Sequence, residues 1–267
     1  MGVLVETAPA PAALDGGRRV ESVGRVGQVL DLFDDDHVDR GIAESAQLLG
    51  ISRGATHALF ATLVDIGLLE RTPSSRYRLG WRLLVLSREL VRSLEYWNPV
   101  VRKMHAFATK WGDTMHLGVL DRGRVVYVQK VEGVHAAGVP TQTGVRMYGH
   151  SSAVGKVLLS YLPAGRLVDL IAEQGLPKLT ARTITTEGSL TEELETAIAQ
   201  GYAIDREETI EGVRCIAAPI KGPGGHVMAA MSVCARSERF ERFWPSYLRE
   251  VRATAELASS HLRAAEM

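Results

Sequence analysis

Hydrophobic positions in the first part of the chain recur at helical spacing. In VESVGRVGQVLDLFDD, Val23, Val26, Val29, Leu30 and Phe33 share one face. GIAESAQLLG predicts a second, short helix closed by Gly50, and ISRGATHALFATLVDIG a third with Ser52 as N-cap. Ala55, Leu59, Leu63 and Ile66 make the apolar face of this third helix, with Arg53 and His57 pointing away and Thr56 beside them. LLERTPSSRYRLG then reads as a hairpin around a Pro-Ser-Ser turn. WRLLVLSRELVRSL returns to helical period, with Trp81, Leu84, Val85, Leu86 and Leu90 on a packing face, and Tyr96 to Lys110 predicts a further helix.

From Trp111 the period shortens. TMHLGVL and RVVYVQKV are β-rich and separated by DRG, a hairpin signal. SAVGKVLLSYL and TEELETAIAQGY read as helices, CIAAPI and VMAAMSVCA as apolar strands joined by KGPGGH, and Arg242 to Arg263 as a long amphipathic helix. The division this implies is a disordered tail over 1–17, an N-terminal module over 18–80, a linker helix over 81–95 and a mixed domain over 96–267. The fold class is α+β.

Composition narrows the function classes. The 267 residues carry 31 Lys+Arg and 31 Asp+Glu, so contact with nucleic acid must come from a local patch. One exists: from Arg71 to Arg92, six arginines (71, 76, 78, 82, 88 and 92) stand against one acid, Glu89. No apolar run is long enough for a membrane span, and the Ala/Pro-rich start does not read as a signal peptide. Two cysteines, Cys215 and Cys234, are too few for a disulfide scaffold and fit a reducing, cytoplasmic setting. No cofactor motif and no metal-ligand spacing occurs, so no cofactor and no metal is expected.

Three helices with a tight turn at LLGISR, then a hairpin, is the pattern of a winged helix-turn-helix. Its third helix would lie in the major groove of duplex DNA. Ser52, Arg53, Thr56 and His57 are then candidate contacts from the helix, and Arg71, Arg76 and Arg78 from the wing. The same pattern is open to a protein-binding helical bundle with a solvated arginine face.

The stretch DREETIEGVRCIAAPI sets Cys215 among carboxylates and arginines before an apolar run. Four readings of Cys215 stand at this point: nucleophile, metal ligand, buried small hydrophobe, or wall of a ligand pocket. No partnered base serves a nucleophile, and the eight histidines are scattered. An enzyme is therefore not the main expectation.

The chain resembles the IclR family of transcriptional regulators. The resemblance is carried by VGRVGQVLDLF, SRYRLGWRLLVLS, GHSSAVGKVLLSYL and above all GYAIDREETIEGVRCIAAPIKGPGGHVMAAMSV. It implies a winged helix followed by a GAF-like effector-binding domain, an antiparallel sheet flanked by helices. It implies binding of operator DNA as a homodimer, or as a homotetramer of paired dimers, under control of a small organic acid. By position it also implies an effector site of Ala136, Val139, Met147, the amides of Ala153 and Val154, Asp205, Cys215, Ser232 and Cys234. Three departures are specific to this chain. Ala55 and Ala58 stand where the family commonly has Thr and Arg, which opens the alternative of a sensor or scaffold without specific DNA binding. Cys234 replaces a frequent serine, and Met147, Tyr148 and His150 add bulk near the entrance. Fewer hydroxyls and more apolar surface favour an aromatic acid over a short ketoacid. Lys156 is open to two roles, partner of an acid ligand or outward cap of a helix.

Overall fold

The computed structural model describes residues 20–34, 36–92 and 97–264, with the side chains of residues 91 and 92 left aside. The tail expected over 1–17 lies outside these residues. The chain divides into two units, Met1–Glu95 and Tyr96–Met267.

The first unit contains α1 (Glu21–Leu30), β1 (Asp39–Arg40), α2 (Ile42–Leu49), α3 (Arg53–Asp65), β2 (Leu69–Arg71), β3 (Tyr77–Leu79) and α4 (Arg82–Arg92). Its core is Val29, Phe60, Leu63, Leu69 and Tyr77, with the Phe60 and Tyr77 rings edge to face at 5.0 Å. α2 turns into α3 through Gly50, whose φ of 64° is the left-handed conformation that glycine adopts at little cost. Ser52 caps α3 by accepting a hydrogen bond from the Ala55 amide. The hairpin β2–β3 takes β1 onto its far edge, giving a three-stranded antiparallel sheet in the order β1-β3-β2.

One apolar face was expected wrongly. Thr56, Phe60 and Leu63 are the buried positions of α3, while Ala55 and Ile66 are exposed. The helical face is rotated because the inner position at the start of α3 is filled by Thr56, which satisfies its hydroxyl on the Ser52 carbonyl at 3.0 Å. Burying that hydroxyl therefore leaves no unpaired group.

The second unit opens with α5 (Asn98–Trp111). It then builds one six-stranded antiparallel sheet from β4 (Thr114–Asp121), β5 (Arg124–Val131), β6 (Arg146–Tyr148), β7 (Ala203–Arg206), β8 (Val213–Lys221) and β9 (Val227–Arg236). The order is β6-β5-β4-β9-β8-β7, so the middle of the sheet joins β4 to β9, with His116 opposite Ser232. α9 (Ser237–Ala264) packs on β8 and β9, and α5 packs on α9. On the other face lies α6 (Ala153–Ser160), backed by α8 (Glu187–Gln200). α7 (Ala164–Gln174) was not expected from the sequence. Strand alternation explains the two layers: Val213, Cys215 and Ala217 meet Ala153, Val154 and Val157 of α6, while Ile216, Ala218 and Ile220 face the other way.

Every residue of α6 is buried, and its N-terminal end is set by contact too close for a side chain. A Cβ on Gly155 would run into the backbone of Gly149. At the next position sits a fully buried cation. Lys156 Nζ donates to Glu208 Oε1 at 2.6 Å, to Glu193 Oε1 at 3.1 Å and to the Ile204 carbonyl at 2.7 Å. Neither expected role of Lys156 is found: it is neither a cap nor a ligand partner, but ties α6 to α8, β7 and the segment after β7. Removing one partner of such a buried pair leaves an uncompensated charge. Lys156→Met is expected to lower unfolding stability by about 3–5 kcal/mol, measured by denaturant titration.

Candidate functional site

The first unit exposes one end of α3. Arg53 and His57 are exposed and make no hydrogen bond or ion pair among the described residues. Both are free to meet an incoming surface. Thr56, expected beside them, is fully buried and cannot join that surface. Ser52 is exposed but its hydroxyl is engaged as the cap.

The wing arginines differ from one another. Arg71 reaches only Ser75, at 3.1 Å, and remains exposed. Arg78 pairs with Glu70 across the hairpin at 3.1 Å. Arg76 is held twice, by Asp39 at 2.5 Å and Glu44 at 3.1 Å, and so braces the wing against β1 and α2. Expected as a free phosphate contact, Arg76 is engaged in two ion pairs and keeps 40% of its side chain exposed. Asp39 is invisible as its partner in the sequence because it lies 37 residues away.

The second unit contains a tight cavity, with about 20 Å³ of room for water-sized molecules between its walls. Val139, Met147, Ala153, Val154, Asp205, Cys215, Ser232 and Cys234 all line it. Ala136 does not. Its neighbour Ala137 packs against the cavity cluster instead. Tyr127, Thr141, Ser152, Thr209, Ile210 and Val213 complete the wall and were missed in the sequence. Tyr127 was legible from alternation along RVVYVQKV, whereas Thr141 and Ile210 sit in irregular segments without a period. Tyr148 and His150 are not part of the wall. Arg124 stacks over the Tyr148 ring at 3.7 Å, and His150 donates from Nε2 to the Pro177 carbonyl at 3.1 Å.

The start of α6 supplies donors. Ser152 caps the helix by accepting from the Gly155 amide at 3.1 Å. The Ala153 and Val154 amides, in the first turn, have no acceptor within their helix, and both residues line the cavity. An anion is favoured at such an end. Opposite stands Asp205, 3% exposed, with Oδ1 accepting from the Glu208 and Thr209 amides at 2.7 and 3.4 Å. Burial lifts its carboxyl to about 7, against the Glu208 amide, which favours the ionised form. Burial and the charge of Asp205 also raise the Tyr127 hydroxyl above its ordinary range. His116 lies behind this wall, its ring tilted against that of Tyr127 with centroids 4.7 Å apart, and is joined to Thr141 by a 2.8 Å hydrogen bond. Burial drops it to about 3, so it is neutral. No arginine or lysine lines the cavity.

Cys215 and Cys234 stand opposite each other on β8 and β9 and are joined by a disulfide, with Cα atoms 4.2 Å apart. The sequence had suggested two unpaired cysteines. Their pairing follows from strand register, which a count of cysteines does not contain. A bonded Cys215 is neither nucleophile nor metal ligand, and among the described residues no cluster of three or more His, Cys, Asp or Glu could hold a metal. No helix there is long and apolar enough to cross a membrane.

Residues 22–73 match the family model of the IclR helix-turn-helix domain, and residues 90–260 that of the bacterial transcriptional regulator IclR C-terminal domain. Among curated proteins, the regulator XynR of Escherichia coli is 32% identical over 242 residues, covering 90% of this chain and 96% of that one. The glycerol operon regulatory protein of Streptomyces coelicolor is 31% identical, covering 92% and 98%. Among solved structures, an IclR homologue of Microbacterium hydrocarbonoxydans in complex with 4-hydroxybenzoate superposes with a TM-score of 0.76 at 22% identity, over 91% of this chain and 99% of that one. An IclR regulator of Alicyclobacillus acidocaldarius gives 0.75 at 22%, with the same coverage.

The Asp205 carboxyl yields a pH test. Because its folded pKa lies above the unfolded value, the native state holds a proton that the unfolded chain releases between about pH 4 and 7. Its contribution to stability is present at acid pH and lost as pH rises to 7. Asp205→Asn is expected to flatten the fall in stability across this window, by up to about 1.4 kcal/mol per pH unit. Denaturant midpoints measured from pH 4 to 8 read it directly.

Proposed function

The chain belongs to the IclR family of transcriptional regulators, and on that premise we propose that it is a cytoplasmic, ligand-responsive regulator without enzymatic activity. It binds operator DNA as a dimer through α3 and the wing, and a small aromatic carboxylic acid in the cavity tunes that binding. The observation that carries the proposal is the cavity itself, where two residues whose helix-start amides have no acceptor in their helix share a wall with apolar Val139, Met147, Ile210 and Val213 and with polar Asp205 and Ser232. The amides of Ala153 and Val154 take the carboxylate, Val139 and Met147 cover the ring, and Asp205 or Ser232 meets a polar substituent at the far end. The presence of 4-hydroxybenzoate in the Microbacterium homologue supports an aromatic acid of this kind. Against an enzyme, the two cysteine sulfurs of the wall are bonded to each other, so neither is a free nucleophile in this form.

A second copy of the chain is expected along α4. Trp81, Leu84 and Val85 expose 70%, 63% and 62% of their surface, an apolar stripe that a soluble regulator covers by pairing. A two-fold dimer presents two copies of α3 to two half-sites. Leu84→Arg is expected to split the dimer and weaken operator binding together. A sedimented mass of at least twice 29.1 kDa for the unaltered chain checks the starting state.

Two measurements test the proposal. In gel shifts with the upstream region of its own operon, Arg53→Ala should cost about 1–3 kcal/mol of specific affinity if the side chain reads a base. Failure of the unaltered protein to shift that DNA would instead favour the sensor without DNA binding, the reading that exposed Ala55 and Ala58 invite. In a thermal-shift series, 4-hydroxybenzoate and benzoate should raise the melting temperature more than pyruvate or glyoxylate. A ligand at 100 times its Kd stabilises the fold by about 2.7 kcal/mol. A larger shift from pyruvate would overturn the aromatic preference.

A further inference from the structure

Both sulfurs of the only cysteine pair in the chain belong to the wall of the cavity. We propose that Cys215 and Cys234 form a reversible dithiol–disulfide site. A hydroperoxide oxidises it, a dithiol reduces it, both by way of the cavity, and its state sets how tightly the cavity holds an acid. The second half of the proposal rests on the acid-binding reading above.

Register makes the exchange cheap for the backbone. The two residues face each other in an antiparallel ladder that continues on both sides, through Ile216–Val233 and Ala217–Ser232 one way and Arg214–Ala235 and Val213–Arg236 the other. Their Cα separation of 4.2 Å is the short spacing of a directly opposed pair. Strands already held by this ladder keep their places whether the sulfurs are bonded or not. Cys215 and Cys234 expose 8% and 3% of their surface, and the cavity is the space both border. Asp205 stands opposite Cys215 on the neighbouring strand, on the same side of the sheet, where it can take the thiol proton.

The chemistry balances with a hydroperoxide as oxidant. The Cys215 thiolate attacks the terminal peroxide oxygen, the O–O bond breaks, and a sulfenic acid forms with release of water or an alcohol. The Cys234 sulfur then attacks the sulfenic sulfur and expels water. Two thiols and one peroxide give one disulfide, one water and one further water or alcohol. A dithiol reverses the change by two exchange steps and leaves as its own cyclic disulfide.

The two states offer different walls. The dithiol form holds two sulfurs at non-bonded contact and two weak S–H donors beside Ser232. The disulfide form draws the sulfurs together, removes both donors and leaves an apolar surface. A ligand that distinguishes these walls is coupled to the redox state, and the coupling is reciprocal: the ligand shifts the redox equilibrium as much as the redox state shifts affinity.

The test uses the full chain under native conditions. Dithiothreitol should expose two titratable thiols, and hydrogen peroxide should remove both with a mass loss of two hydrogens. Calorimetry with 4-hydroxybenzoate should then give affinities that differ by about tenfold between the two forms. Cys215→Ser and Cys234→Ser, at whatever affinity each settles, should no longer respond to peroxide. A thiol count that stays at zero without denaturant, or equal affinity in the two forms, overturns the proposal. If no acid in the series binds either form, the acid reading fails by itself. The two forms are then compared on operator DNA, where equal affinity overturns the switch.

Discussion

A single buried cation organises the second unit. Lys156 lies where water cannot reach, and its charge is tolerated only because three oxygens from separate elements converge on it: Glu193 from α8, the Ile204 carbonyl from β7, and Glu208 from the segment that follows. Each is held in turn. The Glu208 carbonyl accepts from Thr183 at 2.7 Å, its amide donates to Asp205, and Arg206 also reaches Glu193. The position of Asp205 in the cavity, the first turn of α6 and the end of β7 are therefore fixed by one electrostatic requirement. Hydrophobic burial assembles the layers, but it is non-directional. The geometry of the cavity comes from this polar cluster.

The first unit solves a similar problem with surface charges. Arg40 and Arg76 share Glu44, at 2.5 and 3.1 Å, and Arg76 also holds Asp39. Part of the positive excess of the wing region is thus used to attach the wing to the helices. Arg53 and His57, at the start of α3, remain uncommitted. A DNA reader needs this division between charges that hold its shape and charges left for the duplex.

The elements were largely legible in the sequence, because hydrophobic period and turn residues are local signals. α1, α2, the β2–β3 hairpin, β4, β5, β8, β9 and α9 all follow from them. The rest depended on pairings that no local pattern carries. Thr56 was assigned to the outer face because Ala55 looks apolar, yet the threonine satisfies its hydroxyl on its own helix and goes inward. Arg76 counted as free charge until Asp39 and Glu44 were brought beside it. Cys215 and Cys234 are 19 residues apart and become opposite only through the register of β8 on β9. The family motifs run through the strands of the cavity wall and the start of α6, so more of that wall than of the outer face of α3 is legible in them. What the motifs did not contain was chemistry set by surroundings, such as the near-neutral carboxyl of Asp205.

The pairing of β4 with β9 has a consequence for how the chain is made. β4 follows soon after the first unit, yet the strand that completes its hydrogen bonds comes near the end of the chain. On the ribosome, the helices and wing of the first unit emerge whole and can fold at once, since their contacts are short in sequence. The sheet of the second unit waits with an open edge until Met231 and Ser232 arrive. A nascent chain therefore passes through a period in which its first unit is folded and its second is not.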